Sequence, residues 1–151
     1  MKVSSRVDYA ISCILRIADL YEDGRTVTIN EIASKEKIEY DYVERLCVMM
    51  RKAGLLKSVR GASGGYRLAK DPSRISALEV VLAIDNEILE LICFRKKGRR
   101  RRCIHLSRCK IRVLWQDLKD KMETHLKSYT IEKLIRLRRM EKGWRKGRGL
   151  I

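Results

Sequence analysis

Apolar residues recur with helical spacing through much of the chain. Ile11, Ile14, Leu15, Ala18 and Leu20 keep mostly helical intervals, which predicts a helix over Tyr9–Tyr21. Ser5 with Asp8 three residues on predicts its capped start, and Gly24 ends the unit. Thr28-Ile29-Asn30-Glu31 reads as a capping box, in which hydroxyl and carboxylate satisfy free backbone N–H groups, opening a short helix that reaches Lys35. A third helix is predicted from Asp41 to Ala53. Val43, Leu46, Cys47 and Met50 fall at i, i+3, i+4 and i+7, so one face is buried. Asp41, Tyr42, Glu44, Arg45, Arg51 and Lys52 occupy the other face, and Gly54 is the stop.

The period then changes. Leu55–Val59 and Tyr66–Ala69 read as short strands around the glycine-rich loop 60–65, which makes a β-hairpin. Asp71-Pro72-Ser73 is a turn, and Ser76 with Glu79 caps a fourth helix carrying Leu78, Val81 and Leu82. The stretch from Cys93 to Cys109 breaks the helical pattern, and its middle, residues 95–102, is almost wholly basic and predicts a mobile loop. A long helix follows from Lys110 to Ser128. Its stripe of Ile111, Leu114, Trp115, Leu118, Met122 and Leu126 has nearly heptad spacing, as a seam against another helix requires. A last helix starts at Thr130, and the basic tail after Met140 is expected to fray. The expected organisation is a DNA-binding unit over 1–75, a helical dimerisation region over 76–140 containing the cysteine loop 93–109, and a basic tail over 141–151.

Composition narrows the function. The 151 residues carry a net charge of +16, which attracts polyanions at long range, nucleic acid first and an anionic membrane surface second. No apolar run approaches the roughly 18 residues of a membrane span. The polar start, residues 1–6, lacks the apolar region of a signal peptide, so a cytoplasmic location is expected. Five cysteines in a reducing compartment point to core packing, metal or redox chemistry rather than a disulfide framework. There are no paired catalytic carboxylates, no Ser/His/Asp arrangement and no phosphate-binding loop, which disfavours an enzyme.

Three short helices followed by a hairpin is the element order of a winged helix-turn-helix. The fold class is therefore mainly α with a small β-hairpin wing, plus a long dimerisation helix. The second helix of the turn enters the major groove of double-stranded DNA by its N-terminal residues, here Asp41, Tyr42, Glu44 and Arg45. Arginine donates twice to guanine, and glutamate accepts from the cytosine amine. Arg60 is placed to enter a narrow minor groove, and Gly61, Gly64 and Gly65 let the wing lie close to the backbone. Thr28, Arg51, Ser63 and Tyr66 complete the candidate DNA surface. A basic RNA-binding protein would also explain the charge, but not the hairpin together with the cysteines.

Residues 1–10, Val43-Glu44-Arg45-Leu46 and the run 55–69, with its Arg-Gly-x-x-Gly-Gly-Tyr wing at 60–66, resemble the IscR/NsrR/RirA group of bacterial winged-helix regulators, the Rrf-type family. The resemblance covers residues 1 to 135. It implies a homodimer joined by the long helix and bound to a palindromic operator; with no apolar run of spanning length, no membrane partner is expected.

Cys93, Cys103 and Cys109 have nine and five residues between them, whereas Cys13 and Cys47 sit on apolar helical faces as small core residues. Three thiolates suit an iron–sulfur cluster with one iron left to a weaker ligand. They equally suit zinc completed by His105, or direct thiol redox. The resemblance favours the cluster, 4Fe-4S or 2Fe-2S, because sensing members carry three cysteines in this place. It implies a regulator whose operator binding is controlled by a cluster that senses nitric oxide, iron or redox state. Two departures stand out: the first cysteine gap is long and basic, and Arg112 replaces a histidine ligand of IscR-like members. NsrR-like members use an aspartate near the start of the first helix, donated in trans, and Asp8 matches it. His105 is the alternative fourth ligand.

Overall fold

The computed structural model describes residues 4–21, 24–61, 64–85 and 109–147, with side chains to Met140. Helix α1 spans Ser5–Ala18 and buries Val7, Ala10, Cys13, Ile14, Ile17 and Ala18. It starts earlier than Tyr9, and its cap is Ser4, not Ser5: the Ser4 hydroxyl accepts from the Arg6 N–H at 3.2 Å. It ends at Ala18 instead of Tyr21, because the next residues form turns that lead to Gly24 at φ 64°.

Helix α2 (Ile29–Glu36) opens on Thr28, whose hydroxyl accepts from the Glu31 N–H at 3.2 Å. Helix α3 (Tyr40–Lys52) turns Val43, Leu46, Cys47 and Met50 into the core. Strands β1 (Leu56–Val59) and β2 (Gly65–Leu68) pair antiparallel with Leu56 opposite Leu68 and Val59 opposite Gly65. Val27 adds a bridge to Tyr66 through two backbone hydrogen bonds of 2.9 and 2.8 Å, so the loop before α2 is stitched to the hairpin. A glycine at 65 is required there, since a Cβ would lie 2.6 Å from the Val27 carbonyl oxygen.

A short 3-10 turn (Pro72–Arg74) leads to α4 (Ala77–Asp85). Ser76 and Glu79 form the expected box: the Ser76 N–H donates to the carboxylate at 2.8 Å, and the Glu79 N–H donates to the hydroxyl at 3.3 Å. Helix α5 (Arg112–Lys127) buries no residue, and α6 runs over Ile131–Gly147. The tail expected to fray after Met140 continues α6 to Gly147. Arg136, Leu137, Arg138, Arg139 and Met140 are strong helix formers that extend a helix already nucleated by packing.

One core serves these elements. Ile131 and Ile135 of α6 join the buried side chains of α1, α3, α4 and the hairpin. The start of α6 is pinned beside the start of α4: the Ala77 N–H donates to the Tyr129 carbonyl at 2.7 Å, and the Ile131 N–H to the Ile75 carbonyl at 2.8 Å. A half-buried ionic cluster ties α6 to the helix-turn-helix. Arg16 pairs with Glu36 at 2.8 Å, and Arg138 reaches Glu36 at 3.5 Å and Asp19 at 3.7 Å.

Candidate nucleic-acid interface and cysteine region

The amphipathic period of α3 sorts its residues by exposure. Its apolar face is sunk in the core, while Asp41, Glu44, Arg45 and Arg51 are exposed and Tyr42 is half-buried. Tyr42 is held from two sides. Tyr9 of α1 meets its ring edge-on, and the Arg45 guanidinium lies 5.6 Å from its centroid. Tyr9 was not legible as part of this surface; the signal was a large aromatic left 42% exposed on an otherwise well-packed helix.

Beside α3 the hairpin presents Arg60 and Gly61, both exposed. The Gly64 N–H donates to the Gly61 carbonyl at 2.8 Å, closing the loop tightly. A Cβ at Gly64 would sit 2.7 Å from the Gly61 oxygen and 2.9 Å from the Val59 oxygen. Ser63 lies outside the described residues. Tyr66, expected in the interface, is half-buried and, like Tyr42, packs against the core. Burial pushes its hydroxyl up from the ordinary range, Cys47, Glu44 and Tyr40 push the same way, and Arg51 opposes them. Its backbone is bridged to Val27, so Tyr66 also fastens the wing to the loop before α2. Thr28 is exposed at the start of α2, at the edge of an open groove of about 580 Å³ that separates α2 from the wing.

The cysteines divide by burial. Cys13 and Cys47 are fully enclosed. Desolvation, with Glu36 adding to it, pushes the Cys13 thiol up to about 12. Desolvation, with Cys13 adding to it, does the same to Cys47. Such thiols stay protonated and make poor ligands. Cys109 is half-buried just before α5, where its carbonyl accepts from the Arg112 N–H at 3.3 Å. Cys93, Cys103 and His105 lie outside the described residues. Asp8 is exposed on the first turn of α1, and its carboxylate makes no hydrogen bond or ion pair among the described residues. Two residues before it, Arg6 pairs with Asp85 at 2.9 Å, fastening the start of α1 to the end of α4. Among the described residues no three His, Cys, Asp or Glu side chains come together to hold a metal. No helix of the described residues is long and apolar enough to cross a membrane.

Known proteins share this arrangement. Residues 3–137 match the family model described as "Rrf2: Iron-dependent Transcriptional regulator". The HTH-type transcriptional regulator IscR of Photorhabdus laumondii is 35% identical over 135 residues, covering 89% of this chain and 79% of that protein. Among solved structures, CymR of B. subtilis, described as its global cysteine regulator, superposes with a TM-score of 0.71. It is 26% identical, over 91% of this chain and 98% of that one. T. potens IscR gives a TM-score of 0.68 at 26% identity, over 90% of this chain and 87% of that one. A mostly helical chain with a buried-backed reading helix, a two-stranded wing and relatives that are named regulators rather than enzymes leads to one assignment: the chain belongs to the Rrf2 family of winged-helix transcriptional regulators.

Proposed function

We propose that the chain acts as a homodimer on a palindromic operator, and that an iron–sulfur cluster held by Cys93, Cys103 and Cys109 sets its affinity. The DNA part rests on one observation. The helix α3 anchors its apolar face in the core and keeps Asp41, Glu44 and Arg45 exposed, next to a wing offering Arg60 and Gly61. The dimer part rests on α5 and α6, which leave Ile111, Val113, Leu114, Leu137 and Met140 exposed. An apolar patch of this kind suits a second copy.

For the cluster, the donor chemistry fits. Of the described cysteines, only Cys109 is not fully enclosed, and three thiolates suit iron. The carboxylate of Asp8 from the partner subunit is the fourth ligand in this reading, being exposed and without a hydrogen bond or ion pair among the described residues. When bound, such a cluster supplies an iron site open to nitric oxide, oxygen or loss. Asp8 then ties α1 of one subunit to the cysteine segment of the other, and the spacing of the two reading helices depends on that tie.

Anaerobic purification with a visible spectrum and iron and sulfide analysis tests the cluster. A coloured protein containing both elements is expected, with Asp8→Ala losing cluster faster. A colourless protein with stoichiometric zinc overturns that part and leaves DNA binding standing. The second reading gives the cysteines, with His105, to zinc or to direct thiol redox; the likeness to Staphylococcus aureus CymR, a protein solved in an oxidized form, favours the redox variant. A footprint on a palindromic duplex selected from a random pool tests the DNA part.

A further inference from the structure

The outer flank of the wing carries cations that form no ion pair among the described residues. Lys57 of β1 and Arg67 of β2 stand directly opposite each other in the hairpin register, and both are exposed. Like charges facing each other across two strands destabilise the pair. Arg25, in the loop that leads to Val27, is exposed and lines the same two concavities as Arg67. One is the open groove of about 580 Å³ between the wing and α2, bordered by Thr28, Val59 and Gly64. The other, of about 240 Å³, also takes in Lys57. Among the described residues none of these three cations forms an ion pair. Among the described residues that line the larger groove, Glu31 carries the one carboxylate, and it pairs with none of them.

Three cations without an ion pair among the described residues, two of them held face to face, form a surface that a bound anion would relieve. The groove is open and mostly polar, which suits an extended anionic strand better than an enclosed small molecule. Val59 on its rim is the neighbour of Arg60, the residue assigned to the minor groove. We infer that Arg25, Lys57 and Arg67 form a phosphate-contact strip that grips the DNA strand bordering the minor groove which Arg60 enters. The inference rests on the DNA-binding reading above. It assigns affinity without sequence preference to the wing flank, leaving sequence discrimination to α3 and the wing tip.

The test measures affinity against salt for wild type and for the variant R25A/K57A/R67A. Two duplexes are used: one enriched by the wild type from a random pool, and one of unrelated sequence. The plot of log affinity against log salt is expected to become shallower by about 0.9 for each side chain that touches a phosphate, on both duplexes. The ratio of the two affinities stays as in the wild type. The variant R25K/R67K retains the wild-type slope. All three positions are exposed, and a melting curve of the variant no lower than wild type is expected from the relieved repulsion. An unchanged slope overturns the strip alone, as does a slope change accompanied by lost discrimination. A wild type that enriches no duplex overturns the DNA reading and the strip together.

Discussion

Tyr9 of α1 meets Tyr42 of α3 edge to face, with ring centroids 5.8 Å apart and planes at 88°. Arg45 lies over the same Tyr42 ring, so the pair braces the exposed front of α3 against the start of α1. Tyr9 is also the chain neighbour of Asp8, which places the candidate sensor ligand one residue from the brace. Aromatic pairs of this geometry contribute about 0.5–1.5 kcal/mol beyond their buried area. A double-mutant cycle of Tyr9→Leu and Tyr42→Leu by urea denaturation is expected to give a coupling of about 1 kcal/mol. Tyr9→Leu should also weaken binding to a selected duplex; additive single effects would mean the contact has no energetic weight.

The ionic cluster of Arg16, Asp19, Glu36 and Arg138 has side chains between 14% and 26% exposed, so solvent screens it only in part. Glu36→Gln leaves two guanidinium groups sharing one carboxylate. A loss of about 2 kcal/mol in unfolding free energy is expected. Arg138→Ala should cost less and instead raise hydrogen exchange along α6. Equal protection of α6 in both proteins would show that the cluster does not hold that helix.

The two enclosed thiols give a pH signature. Their folded-state values, about 12, lie above the ordinary 9.0, so the unfolded chain releases these protons first. Their contribution to stability is therefore complete below pH 9 and falls as pH rises towards 12. The variant C13A/C47A should flatten that alkaline decline. At neutral pH, iodoacetamide should label Cys109 in the metal-free native protein and spare Cys13 and Cys47 until denaturant is added, as read by mass spectrometry.

Wing geometry depends on two glycines. Gly65→Ala sets a methyl 2.6 Å from the Val27 oxygen, and the bridge between Val27 and Tyr66 must open. A destabilisation of roughly 1–3 kcal/mol is expected in thermal melts, with weaker DNA binding. Gly64→Ala crowds two backbone oxygens within the loop, so it should impair DNA binding with a smaller effect on melting. A Gly65→Ala protein as stable as wild type would mean that the bridge adds little.

Much of this was legible in the sequence because local chemistry and packing agree. The spacing of Val43, Leu46, Cys47 and Met50 fixed which face of α3 is buried. The pair Ser76 and Glu79 marked the start of α4, and the Gly-rich loop marked the wing. Boundaries set by a single hydroxyl were less visible: Ser4 and Ser5 are equivalent as letters, and only geometry makes Ser4 the cap. The ionic cluster and the Tyr9–Tyr42 contact were hidden, since they join residues far apart in the chain. The unpaired flank was hidden for the opposite reason. Lys57 and Arg67 look like ordinary surface charge until the hairpin register sets them face to face.

The pinned starts of α4 and α6 bear on how the sensor region varies. The Ala77–Tyr129 and Ile131–Ile75 hydrogen bonds close a loop whose two ends are fixed to the reading unit. Lengthening a closed loop is cheap, about 0.6 kcal/mol for each doubling. Asp85 and Cys109 both lie inside that closed loop in the sequence, while α3 and the wing lie outside it. The long, arginine-rich interval between Cys93 and Cys103 falls inside the same loop in the sequence, so under the proposed cluster a change in its length would be expected to alter the candidate ligand spacing while the anchors of α4 and α6 stay paired.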